Sequence, residues 1–191
     1  MTAGTIIAII IGILIFVAII IVCWGIGVHN SLIKMRNNVD EAFSTMDVYM
    51  KKRYDLIPNF VEVVKGYAKH ENETLQGVIA ARNSAMSANT PEEKIKSENM
   101  LTGTLKSLFA VTESYPELKA NTNFLDLQAT LKNLEYEIAQ SRKYYNGSVK
   151  VYNVQREIFP SNIIAKWFKF EKKPLFELDD IQERKNVKVQ F

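Results

Sequence analysis

Two histidines, one cysteine and 21 acidic side chains are the stock from which this 191-residue chain could build a metal or acid-base centre. His70-Glu71 opens like a zinc-protease helix, in which two histidines four residues apart hold the metal and the glutamate acts as base. Position 74 is Thr74, so the second ligand is missing. Cys23, His29 and His70 are too few soft ligands for a zinc or iron-sulfur site, and a lone cysteine has no disulfide partner. No metal and no cofactor are expected. Asp40, Glu41, Asp47 and Asp55 would share one helix, and Glu135, Glu137 and Arg142 another. Acid-base catalysis would need two such groups in a cleft with separated pKa values. Ion pairs across a bundle are the plainer expectation. The eight glycines are scattered, with no phosphate-cradling loop and no nucleophile elbow. The chain is therefore expected not to be an enzyme and to have no small-molecule substrate. A net charge of +3 without a clustered basic face likewise predicts no nucleic-acid partner.

Arg53 stands apart because it interrupts an apolar seam close to Pro58. Between helices, an unpaired guanidinium would cost several kcal/mol, so it requires a carboxylate. The expected role is a register-fixing ion pair, with Glu135 or Asp55 as candidate partner. The functional alternative is a contact to a ligand or partner. Tyr67, Tyr145, Asn146, Tyr152 and Asn153 are expected to pack and hydrogen-bond between helices.

The elements that would position these residues are of two materials. No Asp, Glu, Lys or Arg precedes Lys34. Residues 6–28 read IIAIIIGILIFVAIIIVCWGIGV, which at about 1.5 Å per helical residue is long enough to cross a hydrocarbon core of about 30 Å. A cleaved secretory signal would need a basic leading region, and MTAGT has none. A lipoprotein signal ending at Cys23 would need a small residue where Val22 stands. An uncleaved transmembrane helix is expected, with Trp24 near the headgroup level and Lys34 and Arg36 placing the body in the cytoplasm. The expected protein is single-pass in the cell membrane, with residues 1–5 extracellular.

Beyond the anchor, Leu32, Met35, Val39, Ala42, Met46, Tyr49, Leu56, Phe60, Val63 and Tyr67 alternate by three and four, with Arg53 in the remaining seam position. That is the stripe of a long amphipathic helix. Pro58 is expected to kink it without stopping it. Gly66 and HENE at 70–73 mark a second irregularity, after which Leu75, Val78, Ile79 and Arg82 carry the pattern towards a polar run at 84–89. Thr90-Pro91 and Glu93 compose a capping box, so a helix begins at Pro91. Its buried face is expected to be Ile95, Leu101, Leu105, Leu108 and Phe109. A further helix opens at 121–123 with the coiled-coil-like series Phe124, Leu127, Leu131, Leu134, Ile138, Tyr145, Val149 and Tyr152, and runs to Phe159-Pro160. Three matched stripes predict an antiparallel bundle over 29–160. Residues 161–191 should form a short helix and an extended tail closing in NVKVQF. The mixture SNIIAKWFKFEKK suits either a membrane-surface contact or a helix folded back with its aromatics buried, and the second is expected. The fold class is all-α.

DVYMKKRYDLIPNFVEVVKGYAKHE at 47–71, YPELKANTNFLDLQ at 115–128 and RKYYNGSVKVYN at 142–153, taken in order, resemble the LemA family across nearly the whole chain. Asp47, Arg53, Asp55, Pro58, Asn59, Gly66, Tyr67, His70 and Glu71 match its pattern, as do Tyr115, Pro116, Asn123, Phe124, Tyr145, Asn146, Tyr152 and Asn153. Phe43 departs from it, standing where tryptophan is usual. The resemblance implies a single-pass bacterial membrane protein with a helical-bundle body. It assigns no activity, and no role to those residues. The function expected is a membrane-anchored interaction or scaffold protein, the alternative being a membrane-tethered adaptor or sensor for a protease or signalling partner. Expected partners are the bilayer, through residues 6–28, and a second copy of the chain or another protein.

Overall fold

The computed structural model describes residues 3–177, so the NVKVQF tail lies outside the described residues. The regular elements among them are all helices, in the order α1 (Ala3–Tyr67), α2 (Asn72–Ser87), α3 (Pro91–Thr112), α4 (Pro116–Lys119), α5 (Thr122–Glu157) and α6 (Ser161–Trp167). Among the described residues, only α1 is long and apolar enough to cross a membrane. The apolar run and the amphipathic stripe belong to this one helix, which continues through Pro58.

The buried line along α1 is Met46, Met50, Arg53, Ile57, Phe60 and Val64, with Ala68 just past its end. The strict three-four alternation placed Tyr49, Leu56, Val63 and Tyr67 there instead, but the first three are half-buried and Tyr67 is exposed. Met46, Arg53 and Phe60 keep the seven-residue spacing in both series, and the line is completed by Met50, Ile57 and Val64, four residues on from each, in place of the positions three residues on; both flank the same face of a helix.

The described residues divide into two compact units, one drawn from residues 3–41 and 147–173, the other from residues 42–146 and 174–177. In the second unit, α1 ends at Tyr67 and a turn donates Ala68 N–H to Val64 O and Glu71 N–H to Ala68 O. Of the two courses open beyond the irregularity at Gly66 and 70–73, resumption or continuation, the chain resumes as a separate helix, α2, running back along α1 and placing Arg82 against the backbone of Tyr54. The capping box forms, with Glu93 N–H donating to Thr90 Oγ1 at 3.2 Å and Thr90 N–H returning to Glu93 Oε2 at 3.2 Å. Backbone donors at Asn89 and Thr90 hold the Glu93 carboxyl below the usual range.

The directions of α3 and α5 follow from their partners on α1. Asp47 meets Lys94, Arg53 meets Glu98, and Phe60 meets Phe109, so α3 runs parallel to α1. Arg53 also meets Glu135, and Phe60 meets Phe124, so α5 runs antiparallel. Four helices pack up-down-up-down, where three antiparallel ones were expected. Phe60, fully buried, lies edge-on to Phe109 at 5.6 Å and stacked on Phe124 at 5.4 Å. Such ring pairs contribute about 0.5–1.5 kcal/mol each beyond the area they bury.

In the first unit, Leu32 and Val39 of α1 are buried, as are Val149 and Tyr152 of α5. α6 buries only its small residues, Ser161 and Ala165. It stops because Lys169 takes a left-handed φ of 53°, so that Lys169 N–H reaches Lys166 O and Phe170 N–H reaches Ala165 O. This pair of bonds is a Schellman ending. The expectation of a helix with its aromatics in the core is corrected here. Ile163, Trp167 and Phe168 are exposed, and only Phe170 of the aromatic run turns inward.

Candidate functional site

The seam residue Arg53 is the largest fully buried side chain among the described residues. Its guanidinium donates to Glu98, to Glu135 at 2.6 Å and to Thr102 Oγ1 at 3.3 Å. Glu98 is fully buried too, and also accepts from the Tyr54 hydroxyl. Arg53 Nε is buried without a hydrogen-bond partner. Burial works against the charge on Arg53, but Glu98 and Glu135 outweigh it and hold the guanidinium protonated above its ordinary range. Burial, then the carboxylate of Glu98, pushes the Tyr54 hydroxyl far up.

Glu135 was among the expected partners. Asp55 was too, and is corrected: it is exposed, because residues two apart on a helix do not share a face. Glu98 was missed. It sits three, seven and ten residues before Leu101, Leu105 and Leu108, a charge in the seam of α3 just as Arg53 is in that of α1.

A pH dependence follows. The Tyr54 pKa is raised on folding, so its contribution is fully present below the ordinary tyrosine value of about 10 and is lost as pH climbs above it. The thermal midpoint should therefore fall more steeply above about pH 10 in the wild type than in Tyr54→Phe. Parallel pH profiles would exclude this tyrosine as the group responsible.

The other polar set lies on α5, where a Tyr-Asn pair occurs twice, seven residues apart, at 145–146 and 152–153. In the second unit, Asn146 Oδ1 accepts from Phe176 N–H at 2.8 Å while its Nδ2 donates to Phe176 O at 3.0 Å. Tyr145 donates to Pro174 O at 2.9 Å, and its ring meets Phe43 edge-on at 5.7 Å. Phe176 is buried beneath the Arg142 guanidinium, 4.1 Å from its ring centroid, and Asn99 of α3 donates to Glu177 O. In the first unit, Asn153 accepts from Lys173 N–H at 3.1 Å and donates to Lys173 O at 2.9 Å. Tyr152 donates to Glu171 O, Arg156 Nε to Phe170 O, and Lys173 Nζ reaches Asp40 at 2.9 Å.

These four residues were expected to bond between helices, and their polar atoms instead grip non-helical backbone. The reason is chemical: a carboxamide offers one acceptor and two donors, which match the N–H and C=O of one extended residue. The chemistry is recognition of a main chain, independent of the side chains it carries.

The remaining positions are dispersed. Asp47 pairs with Lys94 at 3.4 Å, Tyr67 accepts from Asn121 at 2.9 Å, and Glu71 accepts from Tyr115 at 3.2 Å. Asp55, Asn59 and His70 are exposed. Among the described residues, no three His, Cys, Asp or Glu side chains converge on a point where they could hold a metal ion.

The fold and these sites define a helical-bundle protein with a long apolar N-terminal helix, a buried ionic cluster and a backbone-gripping helix. The chain belongs to the LemA family, whose model matches residues 42–191. It is 25% identical over 161 residues to Protein LemA of Metamycoplasma hominis, a match covering 82% of this chain and 72% of that protein. No enzymatic activity is named for that relative.

Proposed function

We propose that this chain is a single-pass, membrane-anchored interaction protein, whose bundle is a non-catalytic body that meets protein partners or further copies of itself. One observation carries the anchoring. Every large apolar side chain from Ile6 to Val22 is 44% to 64% exposed, so none of the described residues of this chain covers a run whose burial would be worth about 25 cal/mol per Å². A bilayer would cover it. The interaction role is supported by the use to which the polar residues are put: Arg53, Glu98 and Glu135 neutralise one another inside the bundle. Confinement to a membrane plane raises effective concentration, so weak contacts of the exposed bundle surface suffice for assembly.

Purification of the full chain from its membrane in mild detergent, followed by mass measurement, tests the role. Homo-oligomers or a stoichiometric co-purifying protein are expected, the latter favouring an adaptor; a bare monomer counts against the proposal. Lys34 and Arg36, just past the apolar run, support a bundle on the cytoplasmic side. A cysteine at the exposed position 89, as Asn89→Cys in a Cys23→Ser background, should resist a membrane-impermeant maleimide in intact cells and react after permeabilisation. Labelling of intact cells would reverse the orientation.

A further inference from the structure

The aromatic patch around α6 calls for an occupant. Phe159 is 78% exposed, Trp167 79%, Phe168 54% and Ile163 51%, within ten residues that also hold the exposed Lys166. Phe159, Ile163 and Trp167 are spaced by four, and the last two share a face of α6. Contiguous apolar exposure of this kind marks a contact surface.

The position of the patch along α1 says which. Ile164 Cδ1 lies 3.5 Å from where a Cβ on Gly25 would stand, in the last turn of the apolar run. One turn further on, the His29 ring packs on Phe168 at 4.5 Å and Phe170 at 5.7 Å. Buried Ser161 and Ala165 fix α6 in this place. We infer that residues 158–169 are a second, interfacial contact with lipid, in which Phe159, Ile163, Trp167 and Phe168 enter the bilayer at headgroup depth beside the end of the α1 span. Tryptophan and phenylalanine favour that depth, and the exposed Lys166, Lys169 and Lys172 suit anionic headgroups there. The inference rests on the anchoring proposed above, because α1 sets the depth.

The two tryptophans allow both to be tested separately in the full chain, reconstituted at high lipid excess into vesicles of phosphatidylcholine and phosphatidylglycerol. Trp24→Phe leaves Trp167 as reporter, and Trp167→Phe leaves Trp24. Nitroxide lipids labelled high on the acyl chain should quench Trp167 severalfold more than lipids labelled near the chain end, with little quenching by aqueous iodide. Iodide-accessible Trp167 beside nitroxide-quenched Trp24 would overturn the inference and leave the anchor standing. Trp167 shielded from both quenchers would overturn it too, pointing to cover by protein. Failure of nitroxide lipids to reach Trp24 would instead remove the anchor, and the inference with it.

Discussion

Replacing Arg53 by methionine is expected to cost about 3–5 kcal/mol of stability, because it leaves Glu98 as a buried carboxylate facing a hydrocarbon. The pair itself is not the source of that figure. Two charges withdrawn from water repay much of their mutual attraction in desolvation, so the penalty for breaking the cluster exceeds the benefit of having it. The double variant Arg53→Met/Glu98→Leu should accordingly recover most of the loss, while Glu135→Gln, at the half-exposed arm of the cluster, should cost much less. Chemical denaturation of the detergent-solubilised chain measures all three. An Arg53→Met variant as stable as wild type would show that the cluster does not hold the bundle. What the cluster does for the fold is a matter of register: Arg53 meets Glu98 and Glu135 only when α1, α3 and α5 stand at one longitudinal setting.

Asn146→Leu is expected to destabilise by about 2–6 kcal/mol, since one buried donor and one buried acceptor lose their partner at roughly 1–3 kcal/mol each. Leucine has similar volume, so the loss isolates the two bonds to Phe176. The signature would be local. The amide of Phe176 should exchange with deuterium far faster than in wild type, while the amides around Phe60 and Leu105 in the bundle core slow or quicken only with global stability. Asn146→Asp is a sharper control, because a carboxylate keeps the acceptor for Phe176 N–H and loses the donor to Phe176 O. Unchanged exchange at Phe176 in both variants would mean that the buried ring under Arg142 holds this segment without help from the amide.

Local rules were legible from the residues because each depends on neighbours a few positions away. The capping box at Thr90 and Glu93 and the opening of α5 near Asn121 are of this kind. Each is a backbone group satisfied by the nearest competent side chain. The apolar run was legible for the same reason, as was the need of Arg53 for a carboxylate. That Met50, Ile57 and Val64 complete the buried line of α1, and not Tyr49, Leu56 and Val63, was not, since positions three and four residues on from a seam residue flank it alike and only the neighbouring helices choose between them.

The fate of the Tyr-Asn pairs shows the limit most clearly. Their spacing of seven is visible along the chain and announces one face of one helix. That the face grips backbone at 170–176, and not another helix, depends on where a turn at Lys169 sends the chain after α6. The aromatics of 159–168 pose the same problem: composition is equally compatible with a core and a surface, and only the small buried residues Ser161 and Ala165 decide that α6 turns its rings outward. By itself, then, the sequence determined the helical class, the apolar span, the openings of α3 and α5 and the demand for a counter-charge to Arg53, all of them consequences of periodicity and of short-range hydrogen bonding. The tertiary structure alone decided that Glu98 meets that demand, that α2 turns back to make a fourth helix, and that two asparagines bind main chain. Those outcomes turn on which distant residues share a small volume, and residues 45 or 30 positions apart carry no mark of one another until the helices pack.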